Sequence, residues 1–467
     1  MKPLGGRHTE RAGYNVGMNS DQTGKLLHDA LTRSTAYLAS LPDRPVAPPP
    51  TAVAALAAFD EPFPEAPADS AATLDLLDRV GSPATVASAG GRYFGFVNGA
   101  VLPSSFAAHI LATAWDQNAA LSVMSPVASR LRDVVSRWMA DALGLPACAE
   151  AMFVGGATVA NLCGLAAARD HVLAQAGWDA ASDGLIGAPP LTVVVGDQAH
   201  STIAKSLAII GLGRNRVVTT PSDDQGRLIA ARLPNIDGPV IVVAQAGEVN
   251  TGAFDPFEPI IDWARRRSAW VHVDGAFGLW AAASPTRRYL TAGMAGADSW
   301  ATDAHKWLNV PYDSGIIFMR DAARLRPTMS ARAGYLPEGD LDPMHHTPQS
   351  SQRARVVDAW AALRTLGRTG LADLVDRSSD HALRFASALR AAGHEVLNDV
   401  VINQVLVRFG DDANTDRVIA RIQESGDCWC GGTMWKGRKA MRLSVSSWST
   451  TEADVDRSLA AILAAAQ

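Results

Sequence analysis

Between about residues 90 and 335 the chain alternates short apolar runs with helical stretches, and this alternation restricts the possible folds more than any other feature. AMFV (151–154), LTVVV (191–195), NRVVTT (215–220), PVIVVAQ (239–245), WVHVD (270–274), DSWAT (298–302) and GIIFM (315–319) each read as a strand. Helical stretches such as ANLCGLAAARD and PIIDWARRR lie between them. Nearly continuous apolar strands joined through helices imply a mainly parallel sheet covered on both faces. The expected class is α/β.

The flanks differ. Residues 1–88 read as an N-terminal arm with short helices: Leu27, Leu31, Leu38 and Leu41 space an amphipathic helix, and PVAPPP at 45–50 ends it. Residues 89–335 form the large domain. From 336 to 467 helical stretches (353–366, 371–392, 413–424, 451–466) alternate with NQVLVRFG and KAMRLSVSS, which predicts a smaller α+β domain. A formal net charge of −5 leaves no electrostatic footprint for nucleic acid or an anionic membrane. No apolar run approaches the roughly 20 residues that span a bilayer, and the first twenty residues carry no apolar signal core. Four cysteines are too few for a disulfide scaffold, and Cys428 and Cys430, one residue apart, do not read as a metal knuckle. The expectation is a cytoplasmic protein with reduced thiols and no metal.

In open α/β sheets ligands bind at the carboxyl ends of strands, so the residues after each run carry the functional information. After AMFV, Gly155-Gly156-Ala157-Thr158 opens a helix. Small residues let an anion approach the backbone, and a helix N-terminus offers free N–H groups: a phosphate seat, or glycines used only for geometry. After LTVVV comes His200, a ring stacker or a structural histidine. After WVHV comes Asp274, a partner for a cationic ring nitrogen or a turn cap. After DSWAT comes Lys306. Lysines are seldom buried without a partner or a task, and desolvation favours the neutral, nucleophilic amine. Together these are the parts that bind pyridoxal 5'-phosphate as a Schiff base.

FVGGATVANL, GDQAHST, NTGAFDP, WVHVDGAFG and ATDAHKWLN, in this order and spacing, resemble the group II pyridoxal-phosphate-dependent amino-acid decarboxylases, which include the aromatic-amino-acid and glutamate decarboxylases. The resemblance covers roughly residues 80–450. It implies the fold-type I architecture, a homodimer with active sites at the interface, and decarboxylation of an L-amino acid. Lys306 matches the Schiff-base lysine, Asp274 the ring-nitrogen partner and His200 the stacking imidazole. Ala157 and Thr158 match the phosphate-binding pair, His305 the histidine beside the lysine, and Ala276 the residue under the ring. RYFGFVNG (92–99) is expected to wall the substrate pocket, with Phe96 and Asn98 as contacts.

Two departures from the family pattern stand out. Where relatives carry Gly-Thr-Thr this chain has Gly247-Glu248-Val249-Asn250, so Asn250 or Glu248 replaces a threonine contact to the cofactor, or Glu248 faces solvent. The stretch corresponding to a tyrosine-bearing mobile loop is PEGDLDPMHHTPQSSQ (337–352), which has no tyrosine. Tyr335 lies just before it, and His345 and His346, read as an exposed pair, are candidate proton donors. Without a donor the reaction turns oxidative and yields an aldehyde; transamination and carbon–carbon lysis are further alternatives. Phe94, Phe96 and Trp435 suggest an apolar pocket and an aromatic or other apolar substrate, whereas Arg442 would suit a second carboxylate. A nicotinamide-binding fingerprint fails at Gly211-Leu212-Gly213, because the third glycine would fall at Arg216.

Overall fold

The computed structural model describes residues 20–330 and 341–467. They form two compact units: residues through Arg44 with Pro48–Val86, and Pro45–Ala47 with Ala87–Gln467.

The smaller unit is helical, with helices at Ser20–Ser40, Pro50–Ala55 and Ser70–Leu76. Asp69 caps the last of these by accepting from Ala72 N at 2.8 Å. Arg33 reaches Asp29, Asp75 and Asp78 and so ties the first helix to the segment around the third. The leucine stripe does form one face of Ser20–Ser40, yet no residue of this helix is buried: Leu27, Leu31 and Leu38 are exposed.

The larger unit holds two sheets. The first contains β1 (Glu150–Val154), β2 (Thr192–Gly196), β3 (Val217–Thr220), β4 (Val240–Gln245), β5 (Trp270–Asp274), β6 (Ser299–Asp303) and β7 (Gly315–Met319). Their order is β1-β7-β6-β5-β4-β2-β3. All neighbours pair in parallel except β7, which is antiparallel to both β1 and β6. β1 therefore runs in the same direction as the parallel set, and their carboxyl ends lie on one edge. Strand residues alternate between two apolar layers. Val194, Val242, Val271, Val273 and Trp300 face one; Val193, Val195, Ile241, Val243 and Ala301 face the other, with the helix Ala157–Gln175. This is the doubly covered sheet that the alternation predicts.

The second sheet contains β8 (Glu395–Val396), β9 (Gln404–Arg408), β10 (Gly431–Trp435) and β11 (Arg438–Ser444), in the order β10-β11-β9-β8 and all antiparallel. The helices at 353–366 and 371–392 are one element, Arg355–Ala391, broken at Gly367 by a left-handed backbone (φ 60°) that glycine adopts readily.

Candidate active site

β1 ends at Val154, and Gly155-Gly156 turns directly into the helix Ala157–Gln175. Gly156 has φ 146° and supplies no side-chain cap, so the opening N–H groups of this 19-residue helix are left to other partners at the strand ends. One of them, Ala157 N, donates to Asp303 Oδ1 at 2.6 Å. Thr158, the next residue, is half-buried, and its carbonyl accepts from Ser206 Oγ at 3.2 Å.

Asp303, the last residue of β6, is the hub that sequence reading passed over. It is 3% exposed. Its Oδ2 lies 3.1 Å from Lys306 Nζ and its Oδ1 lies 3.6 Å from His305 Nε2. Its backbone N–H donates to Ala276 O at 2.8 Å, which joins the turn after β6 to the turn after β5. Its carbonyl accepts from the fully buried Trp280 Nε1 at 3.0 Å. Trp280→Ala is expected to cost about 3–5 kcal/mol of stability, the usual range for emptying a buried tryptophan site; chemical denaturation checks this. His305 is fixed on its other nitrogen by Ser314 N at 3.1 Å, and its ring lies 4.3 Å from that of Tyr312.

His200 stands at the N-cap of the helix Ser201–Ile209 and accepts on Nδ1 from Thr202 N at 3.3 Å. Burial pushes its imidazole below the ordinary value; Asp274 opposes this, and Lys306 and Arg442 add to it. Asp274, 5% exposed at the end of β5, is pushed up by burial and pulled down by His200, Lys306 and the Ala276 N–H, which donates to Oδ1 at 3.3 Å. Asp274, His200 and Lys306 thus sense one another's charge at the same sheet edge. They are the three groups singled out on sequence grounds.

The loop at 92–99 packs against this edge. A Cβ on Gly99 would fall 1.9 Å from the Lys306 carbonyl oxygen. Phe96 is exposed and held at φ 52°, and Asn98, half-buried, donates its N–H to Gly95 O at 3.0 Å. The aromatic group here differs from the expected one. Phe94 is buried against Phe385 in the core of the second sheet, and Trp435 is buried with Leu406 and Ala440. Both are taken up by separate apolar clusters instead of joining Phe96. Their place is taken by Trp429, whose ring lies 5.1 Å from Tyr93 and 5.3 Å from Phe96.

The remaining candidates separate. Tyr335 lies outside the described residues. His345 and His346 are not exposed: they are 4% and 0% accessible. His345 Nδ1 meets Ser330 Oγ at 3.2 Å, His346 Nδ1 donates to Asp342 O at 2.9 Å, and Met344 between Pro343 and His345 packs with Ala120 and Leu121. Among the described residues, no hydrogen bond or ion pair joins either histidine to Lys306, Asp274 or His200. Glu248 does not face solvent; it is 2% exposed and accepts from Asn250 N, Asn250 Nδ2 and Thr251 N at 2.8–2.9 Å. Asn250 Oδ1 accepts from Thr433 Oγ1 at 2.8 Å, so both ends of its amide are engaged within protein. Arg442 is half-buried and donates from Nη1 to Val249 O at 3.1 Å.

With this geometry in place, three comparisons are informative. The pyridoxal-dependent decarboxylase conserved domain matches residues 60–409, and the chain belongs to that family. It is 29% identical to the L-2,4-diaminobutyrate decarboxylase of Rhizobium meliloti (strain 1021), covering 86% of this chain and 83% of that one. It is 27% identical to tryptophan decarboxylase 1 of Oryza sativa subsp. japonica, covering 92% and 91%. In fold it matches the crystal structure of Oryza sativa TDC with PLP and tryptamine, with a TM-score of 0.88, 24% identity and coverage of 96% and 98%. The protein is thus a pyridoxal-phosphate-dependent amino-acid decarboxylase with the fold-type I architecture. The donor set suits this cofactor: a helix N-terminus whose N-cap glycine brings no side chain, for a phosphate, a buried carboxylate for a cationic ring nitrogen, and a lysine amine for an aldehyde.

Proposed function

We propose that the protein is a homodimer that decarboxylates an L-amino acid with an aromatic or other apolar side chain. Lys306 would hold the cofactor through its amine, Asp274 would pair with the ring nitrogen, and His200 would stack on the ring. Ala157, Thr158 and His305 would face the phosphate, with Ala276 under the ring. The observation that carries this reading is the convergence of Lys306, Asp274 and His200 at the carboxyl ends of β6, β5 and β2.

When bound, pyridoxal phosphate supplies an electron-withdrawing ring that accepts the bonding pair as carbon dioxide leaves. The protein's part is orientation and electrostatics. Asp303 lies 3.1 Å from the Lys306 amine and so positions it to meet the cofactor. Ser314 N donates to His305 Nδ1, which leaves Nε2 as the nitrogen free to carry a proton toward an anion. Phe96, Trp429 and Tyr93 offer flat apolar surface beside the Lys306 turn, which suits an aromatic side chain. The charge of Arg442 is balanced in part by the nearby Glu248, which weakens it as a receptor for a second carboxylate.

Exposed apolar surface supports the dimer. Ile110, Leu111 and Trp115 are 44%, 55% and 44% exposed on the helix Pro103–Trp115. A patch of this kind marks an interface more often than free surface. Among the described residues no helix is long and apolar enough to cross a membrane.

The burial of His345 and His346 favours a second reading, because it withdraws both as exposed proton donors. In that case dioxygen takes two electrons from the decarboxylated carbon and becomes hydrogen peroxide, water supplies the aldehyde oxygen as ammonia is released, and aldehyde, ammonia and hydrogen peroxide leave with carbon dioxide. One experiment separates the readings. Cofactor-loaded protein is mixed with a panel of amino acids; carbon dioxide and dioxygen are followed and products are identified by mass. Carbon dioxide with an amine from tryptophan, tyrosine or phenylalanine is expected. An aldehyde with dioxygen uptake would replace it by the second reading, and turnover confined to acidic or basic substrates would overturn the apolar assignment. Phe96→Ala should raise KM for an aromatic substrate about tenfold, the lower end of what an apolar contact contributes to discrimination.

A further inference from the structure

Behind Asp274 lies a series of buried polar groups that no step above uses. Trp270, His272 and Asp274 alternate along β5 and point to the face covered by the helix Ala157–Gln175. Trp270 Nε1 donates to Ser299 Oγ at 2.9 Å. Ser299 Oγ lies 2.8 Å from His272 Nδ1, and His272 Nε2 lies 2.9 Å from Asn161 Oδ1. Ser299, His272 and Asn161 are each 0% exposed. Asn161 Nδ2 completes no hydrogen bond with protein, and its interaction with the Asp274 carboxyl lowers that group's pKa against the effect of burial. The helix is cut away to admit the imidazole: a Cβ on Gly164, one turn beyond Asn161, would fall 2.6 Å from His272 Cε1.

The direction of the chain follows from its ends. An indole N–H can only donate, and an ionised carboxylate can only accept. Burial pushes His272 down to about 3, so at neutral pH its ring is uncharged and carries one N–H. Placing that proton on Nε2 lets it donate to Asn161 Oδ1, frees Nδ1 to accept the Ser299 O–H, and turns Asn161 Nδ2 toward Asp274. The opposite tautomer would strand the Ser299 proton and set the Asn161 oxygen against the carboxylate.

We propose that Asn161, His272 and Ser299 are positioning residues for Asp274: a one-way hydrogen-bonded chain anchored on Trp270 that orients the Asp274 carboxylate toward the cofactor's ring nitrogen. The inference rests on the role given to Asp274 above. Asn161 would donate to the carboxylate that pairs with the cofactor's ring nitrogen, and the other members hold Asn161 in the donating orientation.

The test uses holoenzyme loaded with ¹⁵N-labelled pyridoxal phosphate, read by the ring-nitrogen chemical shift, by kcat and KM, and by the thermal midpoint of each variant. Asn161→Leu, His272→Leu and Ser299→Ala should each move the ¹⁵N shift toward the unprotonated value and lower kcat about tenfold, the scale of one lost buried hydrogen bond, with KM little changed. His272→Gln can accept from Ser299 and donate to Asn161, so it should recover the shift and most of kcat. A wild-type shift and kcat in Asn161→Leu would overturn the proposal. So would equal losses in His272→Leu and His272→Gln that track thermal stability alone. Ser299→Ala removes only one hydroxyl and decides the matter if the leucine variants fail to fold: a wild-type shift there counts against the chain. Asp274→Asn is the control. If it too leaves the shift unchanged, the fault lies in the assignment of Asp274 rather than in the chain behind it.

Discussion

Replacing Lys306 with alanine should lower turnover by at least about 10²–10⁴-fold, the usual contribution of one positioned acid–base group, and should abolish covalent retention of the cofactor. Among the described residues at this sheet edge, the Lys306 amine is the group able to displace and be displaced by a substrate amine. Its neighbours cannot replace it: His305 is held through Nδ1 by Ser314 N, and Asp303 is an acceptor. Borohydride reduction followed by peptide mapping reports the result directly. The wild type should carry the reduced cofactor on Lys306, and the variant should carry none. Because the side chain is 20% exposed and bonded mainly to Asp303, the variant should remain folded. Residual turnover near the wild-type level would remove Lys306 from its role.

Asp274→Ala should lower kcat about 10²–10³-fold, the scale of losing one preorganised electrostatic partner, while weakening cofactor affinity far less. In the proposed role the carboxylate would balance a charge that matters most when electrons flow into the ring, so its worth would lie in the transition state rather than in binding. The proposed phosphate and Lys306 contacts would remain to hold the cofactor. Equilibrium dialysis gives the affinity and single-turnover kinetics give the chemical step. Parallel losses in both would mean that Asp274 acts only as a binding group.

The seven strands of the large sheet were legible because each apolar run is bounded by glycine or polar residues and separated by a helix-length connection. The antiparallel direction of β7 was not, since an apolar pentapeptide such as GIIFM reads the same either way. β10 escaped notice because Gly431 and Gly432 open it and its apolar residues do not alternate cleanly. The gathering of Lys306, Asp274 and His200 at one sheet edge was legible because residues that follow the strands of such a sheet collect at its carboxyl ends. Asp303 was not weighted, although it precedes the same turn, because an acidic residue at a strand end also reads as a turn cap. Asn161 and Gly164 lie inside a helix whose pattern marks them only as small or polar. Trp429 belongs to a segment more than 300 residues from Phe96, a distance that no local pattern bridges. The histidines at 345 and 346 were misjudged because loop histidines are usually wet, whereas Met344 just before them anchors this stretch in apolar surroundings.

The close approach of Gly99 to the Lys306 carbonyl has a consequence for anyone who wishes to redirect substrate choice. With no space for even a methyl group, this position works as a welded joint between the loop and the turn that carries the amine. Libraries that randomise it would fill with unfolded or misaligned chains. Diversity is better spent at Phe96 and Asn98, where side chains can change while the joint keeps the loop in register. The same weld lets wall residues of this loop be exchanged without moving the turn that carries the amine, so new preferences can be sampled one side chain at a time.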